Sequence, residues 1–298
     1  MSENDKQVPS ALVAVGTKAL AVRSATLVKR GLALAKSLQL GDAAAHYSLG
    51  LALYKKGDLD GAIAEWREAL RLNPNHAVTH CGLGVALGKK GDTDGEIAEY
   101  RQALRLNPNL GEAHCSLGEA LGQKGDTDGE IAEYHEGLRL NPNNYIAHNN
   151  LGVALEQKGD WDGAIAEYRE ALRLNPEDER LQHLRLGMAL AQMHDWDGAI
   201  AEYRGALRLN PENGDGHALL CHALGEKGDL DGQMVEYRKA LRLNPNDPMT
   251  HLNFGLALEK KGDLRGALEE SRAAYMLDPK KPLYKQYYEL LLQKLNKR

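Results

Sequence analysis

Asn-Pro recurs at 73–74, 107–108, 141–142, 175–176, 210–211 and 244–245, and Asp278-Pro279 closes the series. Successive prolines stand 34 residues apart at every step but one, where the interval is 35. A fixed period of that length constrains the fold more than any composition does. Each period is one supersecondary unit that cannot bury its apolar face alone, so neighbours must stack to make a continuous core. Seven units follow, at 43–76, 77–110, 111–144, 145–178, 179–213, 214–247 and 248–281. The extra residue falls near 177–180, in the polar run Glu-Asp-Glu-Arg.

Within a unit the pattern is helical twice over. Segments such as 147–158 (AHNNLGVALEQK) and 161–174 (WDGAIAEYREALRL) carry apolar or small residues at i, i+3, i+4 and i+7. Between them lies Gly at 57, 91, 125, 159, 228 and 262, suited to the left-handed position that ends a helix. The Asp that follows each Gly can cap the next helix and complement its positive end. The fifth unit has His194 in place of the Gly, which predicts a helix end that is either more strained or differently shaped. The Asn-Pro pair stops the second helix, because proline disfavours helix at the residue before it.

This arrangement resembles the tetratricopeptide repeat family, over roughly four-fifths of the chain. With each proline set at position 32, position 8 is small (Gly50, Gly84, Gly118, Gly152, Gly187, Cys221, Gly255). Position 24 is aromatic six times (Trp66, Tyr100, Tyr134, Tyr168, Tyr203, Tyr237) and then Ser271. The resemblance implies an all-α, right-handed superhelical α-solenoid of antiparallel helix pairs, with these positions packed between helices. It also implies a non-catalytic scaffold or adaptor whose concave groove takes a peptide or helix of a partner. The alternative is a subunit that presents substrates to a separate enzyme or chaperone.

Two departures from the family stand out. Position 4, bulky in the family, is His in every unit: His46, His80, His114, His148, His183, His217 and His251. A metal ladder is the tempting reading, but zinc ligands must lie ~2.1 Å from one ion and packed helices lie ~8–10 Å apart. Half-buried packing with a polar tip is the simpler expectation. At position 20, normally small, stand Glu96, Glu130 and Gln233, and in those same units position 12 is Gly88, Gly122 and Gly225. A long side chain at 20 is expected to occupy the room that Gly leaves at 12.

Net charge is −5, which gives no reason to expect a nucleic-acid partner. Cys81, Cys115 and Cys221 are too few and scattered for a disulfide framework, which fits a reducing, cytoplasmic setting. No run reaches the ~18 apolar residues of a membrane helix, so no membrane partner is expected. No H-E-x-x-H, C-x-x-C or G-x-S-x-G is present, so no enzyme, cofactor or metal is expected. The D-x-D-G string at Asp58, Asp60 and Gly61 resembles the start of a calcium loop, but helix capping accounts for it.

By the resemblance, the groove would be lined by Tyr47, Tyr54, Glu112, Glu119, Asn149, Asn150, Glu156, Arg185, His222 and Asn253, interleaved with apolar residues. Its middle would be acidic, favouring a partner segment with apolar anchors and some basic residues. Chaperone-binding relatives grip a C-terminal carboxylate with a clamp of Lys, Asn and Arg. Asn150 and Arg185 match two of those places, but Cys115, Glu119 and Leu181 stand where clamp residues would be, and Glu119 would repel a carboxylate. Asn150 and Asn253 alone echo the Asn ladder of repeats attached to N-acetylglucosaminyltransferases. At the ends, residues 1–8 are expected to be disordered and 9–42 to form a degenerate repeat or capping helices, one long helix and a groove-binding arm being the rivals. Residues 282–298 are expected to form a closing helix, a partner-binding helix being the alternative, and self-association through the terminal helices is a further expectation.

Overall fold

The computed structural model describes residues 42–175 and 179–296. The expectations for 1–8 and for 9–41, and residues 177–178 of the stretch holding the extra residue, lie outside these residues. The chain divides into two units, the first ending at Asn143 and the second starting at Asn144. Helices are the regular structure throughout the described residues.

In the first unit three helix pairs follow one another: α1 (Asp42–Lys56) with α2 (Leu59–Leu72), α3 (Ala77–Lys89) with α4 (Thr93–Leu106), and α5 (Gly111–Gln123) with α6 (Thr127–Leu140). The second unit holds α7 (Tyr145–Lys158) with α8 (Trp161–Leu174), α9 (Glu179–Gln192) with α10 (Trp196–Leu209), α11 (Gly214–Lys227) with α12 (Leu230–Leu243), α13 (Pro248–Lys261) with α14 (Leu264–Leu277), and α15 (Pro282–Asn296). Within each unit a helix packs on the one before it and the one after it.

The bends between paired helices are built by the Gly-Asp step. The six expected glycines have φ between 78° and 90°, a region L residues rarely enter. His194 takes φ 59° at the equivalent place, a conformation that costs a non-glycine residue about 1–2 kcal/mol. The next residue then caps. Asp58, Asp92, Asp126, Asp160, Asp195, Asp229 and Asp263 each accept a hydrogen bond from the backbone N–H three residues on, at 2.9–3.0 Å. The D-x-D-G string is therefore a helix start, with the Gly amide as the donor.

Packing inside a pair is set by small against aromatic. Trp66, Tyr100, Tyr134, Tyr168 and Tyr203 are no more than 2 % exposed. The ring of Tyr168 lies so close to Gly152 that a Cβ there would meet it at 2.6 Å, and Tyr203 stands in the same relation to Gly187 at 2.5 Å. At the end of the second unit, Tyr284, Tyr287 and Leu291 of α15 join the core that also holds Phe254, Ala267 and Ala274. The Tyr287 hydroxyl donates to Glu259 at 2.9 Å, tying α15 to α13.

The seven histidines have a common surrounding. In every repeat Nδ1 lies 2.5–2.7 Å from the carboxylate of the Glu nineteen residues on, in the paired helix: Glu65, Glu99, Glu133, Glu167, Glu202, Glu236 and Glu270. For His80, His114, His217 and His251, Nε2 also donates to the carbonyl of the proline six residues back, at 3.0–3.1 Å. A carbonyl can only accept, so Nε2 carries a proton there. One ring thus joins its own pair and the end of the preceding repeat, and its polar tip is satisfied by protein groups. Groups of three or more His, Cys, Asp or Glu side chains arranged to hold a metal ion are absent among the described residues.

Candidate functional site

The first helix of each pair presents the residues expected to line a groove, and the structure sorts them into local sets. In the first unit, Tyr47 packs edge-on against His76 with ring centroids 5.3 Å apart. Tyr54 lies 5.9 Å from the Trp66 ring and carries the Lys89 ammonium over its face at 4.6 Å, so one flank of Tyr54 is already engaged. Glu112 and Glu119 are exposed on α5. Glu112 faces two thiols: burial first and the Glu112 charge second push Cys81 up to about 11, and the same two causes raise Cys115. Thiols held protonated in this way are poor nucleophiles.

Glu119 is the centre of an acidic group. Its charge reaches Glu96 and Glu130, whose carboxyls are raised first by burial and then by Glu119. Both sit where Gly88 and Gly122 leave room: a Cβ on either glycine would overlap the opposing carboxyl group. Gly225 and Gln233 repeat the arrangement in the second unit, where the Gln233 amide donates to the Cys221 carbonyl at 3.0 Å. Glu130 is 8 % exposed, and the Oε2 atom of Glu96 is buried without a hydrogen bond. This acidic middle is a matter of three residues, of which the groove pattern alone names Glu119.

A raised carboxyl lowers stability at neutral pH, where it must be ionised in the folded state. As pH falls, the folded protein binds that proton before the unfolded chain does, so stability recovers through the folded value and down to the unfolded one. Glu130→Gln is therefore expected to raise the Tm at neutral pH. The gain should shrink on acidification to about pH 4, near the ordinary carboxyl range. Thermal melts at the two pH values check it, and a pH-independent difference would contradict it.

In the second unit Asn149 and Asn150 are neighbours on α7, the Asn149 amide donating to Asn150 at 3.2 Å. The Oδ1 atom of Asn149 is buried with no partner. Glu156, Tyr168 and Arg185 form a relay. The Tyr168 hydroxyl donates to Glu156 at 2.8 Å, and burial followed by Glu156 raises the phenol well above its usual value, against the lowering effect of the nearby Arg185 guanidinium. Arg185 Nε remains buried and unbonded. His222 and Asn253 share a cavity of about 280 Å³ with Gly225, Gln233, Tyr237 and Leu256. His222 also meets the Trp196 ring edge-on at 5.9 Å, and Trp196 packs in turn against His194. Trp196 sits outside the expected groove positions, and nothing in the periodicity singles it out.

Of the two clamp-like residues, Asn150 accepts from Asn149 through Oδ1, and Arg185 lies beside the Tyr168 phenol with its Nε unbonded. The expected set is thus brought together in parts: Tyr47 and Tyr54 near α2 and α3, Glu119 with Glu96 and Glu130, Asn149 with Asn150, Glu156 with Arg185, and His222 with Asn253. None of the described helices is long and apolar enough to cross a membrane.

Family models place the chain. The model described as TPR repeat matches residues 50–91, 89–125 and 222–262. Models described as tetratricopeptide repeat match 115–179 and 181–213. Together they account for well over half of the sequence. Among solved structures, the C-terminal part of a TPR repeat-containing protein from Cytophaga hutchinsonii is similar at a TM-score of 0.70 and 15% identity, over 81% of this chain and 98% of that one. YrrB, described as a TPR protein with an unusual peptide-binding site, is similar at a TM-score of 0.56 and 19% identity, over 64% of this chain and 97% of that one. A MamA structure is similar at a TM-score of 0.52 and 26% identity, over 54% and 93%. Among curated proteins no match was found.

Proposed function

We propose, from the premise that this chain belongs to the tetratricopeptide repeat family, that it is an interaction scaffold whose first-helix face receives an extended or helical segment of another protein, with apolar anchors and basic residues. The observation that carries this reading is the set of polar atoms left over on that face. Asn149 Oδ1 on α7 and Arg185 Nε on α9 are buried without a hydrogen bond. A buried polar atom left unpaired costs about 1–3 kcal/mol, so a ligand that pairs it gains that much. In the second unit a partner backbone supplies an N–H for Asn149 and a carbonyl for Arg185; in the first unit, taken by itself, a Lys or Arg side chain suits the carboxylates around Glu119. The peptide-binding site named for YrrB belongs to that protein, and it supports this reading as a precedent for the fold.

The test is a pull-down with the full chain beside a Glu119→Arg/Asn150→Ala variant, followed by titration of the recovered segment as a synthetic peptide. Loss of the partner in the variant, with an unchanged melt, is the expected result. Equal recovery by both proteins would place binding elsewhere. We further propose that α15 closes the stack, since its three buried residues cover the last repeat pair.

A further inference from the structure

A second surface lies away from the groove residues, at the C-terminal ends of α10 and α12. Position 29 of the repeat is Arg in six units, and in three of them it is neutralised from within its own helix. Arg71, Arg139 and Arg173 pair with Glu68, Glu136 and Glu170 three residues back, each at 2.6 Å. Arg105 bonds Gln102 instead. In the fifth and sixth units that acidic place is taken by Gly205 and Lys239. Arg208 and Arg242 consequently have no hydrogen bond or ion pair to a carboxylate among the described residues. The pattern breaks in two adjacent repeats, and the break coincides with a cavity of about 720 Å³.

The lining explains what the cavity would hold. Its floor is apolar, with Leu207 half-buried and Leu220 only 1 % exposed. Its rim carries Arg204, Arg208, Lys239 and Arg242 against two carboxylates, Glu212 and Glu236. Glu236 is already committed, to His217 at 2.7 Å and to Lys239 at 2.7 Å. Three guanidinium groups around an apolar floor are left to face solvent. Guanidinium forks bind carboxylates in pairs of parallel hydrogen bonds, and desolvation over an apolar floor strengthens them.

We infer that this cavity is a docking site for an acidic segment of a partner protein, with Asp or Glu side chains flanking one apolar anchor. None of the groove residues lines it, so it is an interaction surface independent of the one proposed above, and of opposite charge preference.

The experiment titrates the full chain with a fluorescein-labelled peptide of alternating Glu and Leu, and with its Gln and Leu counterpart. Lys239→Glu places beside Arg242 the carboxylate that Arg71, Arg139 and Arg173 already have, so it restores a pattern the fold tolerates. Binding of the Glu peptide is expected to weaken at least about tenfold in Lys239→Glu, with an unchanged melt, and the Gln peptide is expected not to bind. Arg242→Gln, at an exposed position, must show the same loss. Equal affinity for both variants and the wild type would overturn the inference, as would equal binding of the Gln peptide. A short single-stranded oligonucleotide that displaces the Glu peptide and binds more tightly would assign the surface to nucleic acid and overturn it as well.

Discussion

Gly88→Leu is expected to destabilise the protein by about 3 kcal/mol, the upper part of the range for forcing a large side chain into filled space. A helix-propensity scale argues the other way, since Leu is favoured over Gly by roughly 0.8 kcal/mol in a helix interior. The difference lies in Glu96, whose carboxyl group occupies the place where a Cβ on Gly88 would go. Adding Glu96→Ala should recover most of the loss, because it empties that space and removes a carboxyl held in an unfavourable setting. Urea unfolding of both single variants and the double variant measures the coupling. Additive effects would mean that the two side chains do not compete. The same cycle at Gly122 and Glu130 is a repeat of the experiment that the sequence itself provides.

The second large effect is expected at Glu236. Its partner His217 is 4 % exposed, and Glu236 is 8 % exposed. Glu236→Ala takes the acceptor from His217 and leaves Lys239 without its ion pair. Removing one member of a buried pair costs about 3 kcal/mol. The equivalent change at Glu65 should cost less, because the side chains of His46 and Glu65 are 24% and 22% exposed. Chemical denaturation of the two variants tests the ranking. Equal losses would show that burial does not set the strength of these pairs.

Most of the fold was legible in the sequence because the signals that set it are local and repeat. The Asn-Pro period, the Gly-Asp bend and the small-aromatic pair each reflect a backbone or steric demand that recurs in every unit. The expected helices at 147–158 and 161–174 correspond to α7 at Tyr145–Lys158 and α8 at Trp161–Leu174. The His partners were overlooked although the signal was present: a Glu stands nineteen residues after each His in all seven units. That spacing crosses two helices and means nothing until their pairing is known. The site was less legible. Family resemblance names positions, but whether a side chain there is free depends on contacts between repeats. Asn150 and Arg185 match two places of a carboxylate clamp whose other residues are missing, and only the structure shows Asn149 beside the one and Tyr168 beside the other. Arg208 and Arg242 hold the same repeat position as Arg71, Arg139 and Arg173, and only the missing acidic residue beside them sets them apart.

The histidine tie has one more consequence, for length. His80 reaches back to Pro74, and His114 reaches back to Pro108, through the same atoms at the same 3.1 Å. No such tie spans more than one junction. If residues 77–110 were excised, His114 would meet the Pro74 carbonyl as His80 does now, and the chain would close without a mismatched end. Within the first unit these ties are like marks on a ruler, one to each whole repeat.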